Sequence, residues 1–143
     1  MSRREAREAS FKIIYQVDIH KGSLDEILED FIAENEISEK DKTYIDDVVS
    51  GIAQYKEEIN HEIEQNTKNW KVGRISKISR AILQLALYEI LKREDIPITV
   101  SINEAVEIAK TYDCEQAGRF VNGILGAVQK KIQSSEVVKG ENE

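Results

Sequence analysis

Helix-breaking residues are what this chain has least of. It carries one proline, Pro97, and seven glycines in 143 residues. So little punctuation, with 33% of residues charged, argues against many short strands and for long helices. A single cysteine, Cys114, excludes an internal disulfide and fits a reducing cytosol. No run of about 18 apolar residues occurs, so nothing in the sequence reads as a membrane span. The N-terminus is arginine-rich but has acids inside it and lacks the apolar centre of a signal peptide. Catalytic signatures are missing too. His20 and His61 fall in different helices and share no metal-ligand spacing with Cys114. There is no glycine-rich phosphate loop, and the paired carboxylates lie on amphipathic helices, where they are generic surface. No enzyme activity, no metal and no cofactor are therefore expected, and the expected location is cytoplasmic.

What the chain does have is helical periodicity. At 143 residues it suits one domain, or two small subdomains sharing a core; such a chain buries roughly two thirds of its unfolded surface and needs no cross-links. The pattern predicts an all-α fold of about seven helices. The first spans about 2–20 and stops near Gly22; the second covers about 24–35. Ser38 with Asp41 caps a long third segment striped by Tyr44, Ile45, Val48, Val49, Ile52, Tyr55, Ile59 and Ile63, with a break expected near Gly51. The segment from Ser76 to Arg93 is apolar around most of its circumference and reads as the buried central helix, with a narrow polar strip of Lys77, Arg80, Gln84 and Tyr88. Pro97 ends it near Arg93. Ser101 with Glu104 reads as a capping box opening the next helix. A last helix carries Ala117, Phe120, Val121, Ile124, Leu125 and Val128 on one face. Its glycines, Gly118, Gly123 and Gly126, cost roughly 1 kcal/mol each relative to alanine and suggest a close approach to the backbone. The expected organisation is one bundle over 1–133, with subdomains of about 1–66 and 67–133. The polar segment 134–143, which lacks periodicity, is expected to be a disordered tail.

The net charge of −7 hides a strong polarity. Leu24 to Asn66 holds 14 acidic residues against three basic ones, whereas Lys68 to Arg93 holds seven basic residues against the single acid Glu89. Such a chain can offer a positive surface to RNA while remaining acidic overall, unless the two halves simply pair with each other. On a helical wheel, Arg3, Arg4, Arg7, Phe11 and Tyr15 fall within a sector about 120° wide, opposite Ala6, Ala9, Ile13 and Val17. Arginines with interleaved aromatics suit single-stranded RNA, although Phe11 and Tyr15 fit a core equally well. The three arginines have no evident packing role, so reversing their charge is expected to lower RNA affinity without lowering stability. A second candidate patch joins Arg119, Phe120 and Asn122, with Lys110 nearby; Phe120 sits at the edge of its apolar sector and reads as either half-exposed or buried. Lys77 and Arg80, preceded by Trp70, Lys71 and Arg74, mark either a hinge or a contact for a partner or RNA. The acids Asp46, Asp47, Glu57 and Glu58 read as a solvated face that a basic protein would suit.

Several strings occur together in one order. SRREAREASFKIIYQVDI opens the chain, Trp70 and Arg74 form a W-x-x-x-R pair, and SRAILQLALYEIL, DIP, V-x-INEAVEIAK-x-Y and FVNGIL follow. Over about residues 2–132 the sequence resembles the NusB family of bacterial transcription antitermination factors. The resemblance implies an all-helical RNA-binding protein without catalysis. It would bind boxA-type RNA together with NusE, a small-subunit ribosomal protein, within an RNA polymerase antitermination complex that reads through terminators, chiefly on ribosomal RNA operons. It also implies that Arg3, Arg4 and Arg7 belong to the RNA-binding motif and that the FVNG segment lies near the RNA. Glu5 and Glu8 interrupt the arginine cluster, so modest affinity for RNA alone is expected. A homodimer in the free state stays open. Two rivals remain at this point: the RNA-binding domain of a ribosomal RNA cytosine methyltransferase, which needs an attached cofactor-binding domain, and a helical protein–protein adaptor that never meets RNA.

Overall fold

The computed structural model describes residues 1–20, 22–67 and 75–142, with side chains through 135. It contains α1 (Arg3–His20), α2 (Leu24–Glu34), α3 (Glu39–Gln54), α4 (Lys56–Thr67), α5 (Lys77–Lys92), α6 (Ile98–Tyr112) and α7 (Glu115–Asn142), and no strand among the described residues. The fold is all-α. Serines open three of the helices: Ser23, Ser38 and Ser76 each accept the backbone N–H three residues on, which satisfies one otherwise orphaned donor. α7 carries helix through Asn142, into the segment expected as a tail.

α5 is the hub. Ile82, Leu83 and Leu87 are fully buried, and the helix packs against α1, α3, α4, α6 and α7. Its polar strip splits by depth. Lys77 is exposed and Arg80 half-buried. Gln84 donates to Asn60 of α4 at 3.0 Å and Tyr88 donates to Asp47 of α3 at 3.0 Å, so these two are structural. α1 meets α2, α3 and α5, and α6 and α7 pack side by side, with Ala105, Ile108 and Ala109 of the one and Ala117, Val121 and Ile124 of the other in one continuous core.

Two expectations need correction. The long third segment breaks at Tyr55 rather than Gly51: α3 closes with the Tyr55 N–H on the Gly51 carbonyl (2.9 Å), and α4 starts at the next residue. Gly51 serves space instead. A Cβ there would stand 2.2 Å from the Tyr88 ring, so only glycine lets Tyr88 lie on α3 and reach Asp47. The capping box is the second. α6 begins at Ile98 behind Pro97, a turn before Ser101, and the Val100 and Ser101 amides bond to the Pro97 carbonyl at 3.0 and 3.3 Å. Ser101 is inside the helix, where its hydroxyl has another partner. The close approach expected of the α7 glycines holds at Gly118, where a Cβ would lie 2.7 Å from the Lys110 stem; at Gly126 nothing lies within 4 Å.

Candidate nucleic-acid interface

The three N-terminal arginines share a helix but not a fate. Arg7 points into the protein and is 4% exposed. Its Nε and Nη2 donate to the two oxygens of Glu89 at 2.9 and 3.1 Å. Glu89, itself 1% exposed, also accepts the Tyr44 hydroxyl and the Ser101 hydroxyl, the latter at 2.7 Å. One carboxylate thus ties α1, α3, α5 and α6 together, and every lone-pair direction it offers is used. Burial alone would lower the Arg7 pKa, but the hydrogen bonds and charge of Glu89 outweigh it and hold the guanidinium above its ordinary value. Burial, reinforced by the Glu89 carboxylate, pushes the Tyr44 hydroxyl well above the usual tyrosine range.

Arg7 is therefore not a surface contact, and the expectation that its charge is dispensable for stability is wrong. A fork-matched ion pair at this depth leaves a bare buried charge when one partner goes. Arg3 is half-buried, its guanidinium 4.3 Å from the centre of the Tyr44 ring, where Arg93 also stacks at 5.3 Å. Arg4 is the most exposed of the three. Its side chain is 50% exposed and pairs with Glu104 of α6, Nε and Nη2 at 2.7 and 2.5 Å from one carboxylate oxygen.

The aromatics resolve toward the core. Phe11 is buried and meets Tyr112 edge-on, ring centres 5.0 Å apart. Tyr15 is half-buried and packs on the core. Phe120 is 9% exposed, so the half-exposed reading fails and its ring counts as core.

The remaining candidates gather around a groove lined from α1, α6 and α7. Arg4 and Asn122, 118 positions apart, line one open groove of about 370 Å³ with Val100, Asn103, Glu104, Val106 and Glu107. Lys110 is beside it: its stem crosses α7 at Gly118, next in sequence to the exposed Arg119, and its ammonium lies 3.6 Å from Glu107. Asp113, in the α6–α7 turn, accepts the hydroxyls of Ser76 and Ser79 at 2.6 and 2.8 Å, which holds the start of α5 against that turn. Trp70, Lys71 and Arg74 lie outside the described residues. Of the acidic face, Asp47 takes the Tyr88 hydroxyl and Arg93, and Glu58 pairs with Lys92 at 3.0 Å.

Sequence reasoning missed Glu89, Glu104, Ser101 and Tyr44 as parts of this region. Glu89 was findable. It is the one acid in an otherwise basic segment, on a helix apolar nearly all round, and a carboxylate there demands a buried cation and hydroxyl donors. Among the described residues no group of three His, Cys, Asp or Glu side chains is placed to hold a metal ion, and no helix is long and apolar enough to cross a membrane.

The chain matches a known pattern along almost its whole length: the NusB family profile covers residues 4–130. The chain belongs to the NusB family. A NusB-family relative from Acetivibrio thermocellus, the transcription antitermination protein NusB, is 49% identical over 95% of this chain and 94% of its own. The solved structure of T. maritima NusB superposes with a TM-score of 0.83 at 38% identity, covering 91% of this chain and 92% of that one. A crystal structure of the antitermination factors NusB and NusE in complex with dsRNA aligns with a TM-score of 0.79 at 28% identity, over 92% of this chain and 99% of that one. In this NusB-family chain the groove between α1, α6 and α7 combines one cation, Arg4, two acids, Glu104 and Glu107, and the amides of Asn103 and Asn122.

Proposed function

We propose that this NusB-family chain is a transcription antitermination factor that binds boxA-type RNA together with NusE and promotes read-through by RNA polymerase, chiefly on ribosomal RNA operons. The observation that carries the reading is the convergence of Arg4 and Asn122 on one groove, beside Lys110 and Arg119. Guanidinium and ammonium groups neutralise phosphates, and the amides of Asn122 and Asn103 are suited to sugar and base edges. The complex of NusB, NusE and dsRNA among the similar structures supports the same partners here. In this proposal Arg4, Lys110, Arg119 and Asn122 contact RNA, and Arg3, Lys77 and Arg80 supply flanking positive charge. Arg7, Tyr15 and Phe120 hold the surface in shape from beneath. The protein acts in the cytoplasm as an adaptor without catalysis. Few cations face the groove and acids pair with two of them, so the grip on RNA alone is weak and NusE adds the second surface.

Fluorescence anisotropy of a labelled boxA-type RNA, titrated with and without NusE and against a scrambled RNA, tests this. Tighter, sequence-dependent binding in the presence of NusE is expected. Equal binding to both RNAs, or none with NusE present, overturns the reading in favour of a protein-only adaptor.

A further inference from the structure

Two of the cations at the groove, Arg4 and Lys110, are already paired with the protein's own carboxylates. Glu104 and Glu107, three residues apart on α6, hold Arg4 and Lys110 respectively. The two pairs differ. Glu107 and Lys110 share a helix at 3.6 Å, side chains 52% and 36% exposed, a geometry that contributes little. Glu104 joins two helices, is 20% exposed, and takes both the Nε and Nη2 of Arg4 on one oxygen, while its other oxygen lies 3.6 Å from Arg7 Nη1. Arg7 does not depend on it, because Glu89 already supplies Arg7 with a bidentate partner.

We infer that Glu104 is a built-in competitor for RNA phosphate: its carboxylate occupies the Arg4 fork that a backbone phosphate would take, and so keeps RNA affinity low in the absence of the partner. This deepens the proposed function and rests on the same groove. A phosphate and a carboxylate present matching acceptor pairs to a guanidinium. A phosphate arriving at Arg4 either displaces Glu104 or sits beside it, and the second option places two anions within a few ångströms of each other. The same carboxylate also subtracts one charge from the local field that draws RNA in. Neutral Asn103 and Asn122, which also line the groove, carry no such penalty.

The test is the Glu104→Gln variant, which keeps the size and one acceptor and removes the charge. Its affinity for boxA-type RNA without NusE should rise about three- to tenfold at low salt. The log–log salt dependence should steepen by up to about 0.7, the value of one further phosphate neutralised on a single strand. Glu104→Asp, which keeps the charge, should stay near wild type, and Glu107→Gln should gain less than Glu104→Gln. In an Arg4→Gln background the gain should vanish. Melting curves of each variant check that the fold is intact. Unchanged or weaker binding by Glu104→Gln, or an equal gain in Glu104→Asp, overturns the inference; if wild type still prefers boxA with NusE, the proposed function stands without it. A ten-nucleotide uridine RNA at low salt separates the converse case. If wild type shows no boxA preference but Glu104→Gln still gains on uridine RNA through Arg4, the competitor role stands and the boxA reading falls.

Discussion

Arg4 and Arg7 lie one helical turn apart on α1, and each pairs with a glutamate from the C-terminal half of the chain. Around Arg7 the pair is sealed: both partners are at most 4% exposed, and Tyr44 and Ser101 complete the hydrogen bonding of Glu89. Around Arg4 the pair is open on one side, with half of the arginine side chain in water. Desolvation makes the first pair a structural bolt, since loss of either member strands a charge in the core. Solvation makes the second exchangeable, since water and salt stand ready to replace either partner. Depth, rather than residue type or sequence spacing, divides the sealed pair from the exchangeable one.

The largest expected effect attacks the sealed pair. Arg7→Ala should destabilise the fold by about 3–5 kcal/mol, the usual consequence of unpairing a buried charge, measured from urea unfolding midpoints. A loss below about 1 kcal/mol would erase the contrast with Arg4. Gly51→Ala should come next at about 1–3 kcal/mol, because the added methyl meets the Tyr88 ring inside a packed interface; a fluorescence-monitored melt of the variant checks it. Ser101→Ala removes one of the donors to Glu89 and leaves the others, so about 1 kcal/mol is expected, again by urea titration.

Alkali sharpens the comparison from another side. Burial, with a hydrogen bond to Asp47, pushes the Tyr88 hydroxyl up to about 12, and Tyr44 is raised further still. Both folded values exceed the unfolded one near 10, so the fold prefers the protonated phenols. Their contribution is intact below about pH 10 and is lost as the pH rises through the folded values. Unfolding midpoints should therefore fall above pH 10, and Tyr88→Phe should flatten part of that decline. The smallest effect belongs to the open pair: Arg4→Ala should change stability by no more than about 0.5 kcal/mol. A drop of several kcal/mol in calorimetry would mean that Arg4 is structural as well.

Periodicity and capping residues were enough to read the helices. The stripe of α3 and α4, the all-round apolar α5 and the inner face of α7 are buried as their spacing predicts, because an apolar face has one favourable place to go. Local rules failed where two meanings compete for one residue. Ser101 has the spacing of a cap, but Pro97 starts the helix a turn earlier and Glu89 takes the hydroxyl. Gly51 looks like a helix break but is a seat for the Tyr88 ring.

By itself, then, the sequence determined the fold class, most helix boundaries and the family, because these follow from short-range spacing and from strings of adjacent residues. Only the tertiary structure decided which arginine is sealed in the core and which stays open to solvent. Arg3, Arg4 and Arg7 share one sector of one helix, but Glu89 lies 82 positions from Arg7 and Glu104 lies 100 from Arg4. The depth at which each pair comes to rest depends on how α1 sits across α5 and α6, and no local pattern encodes that packing.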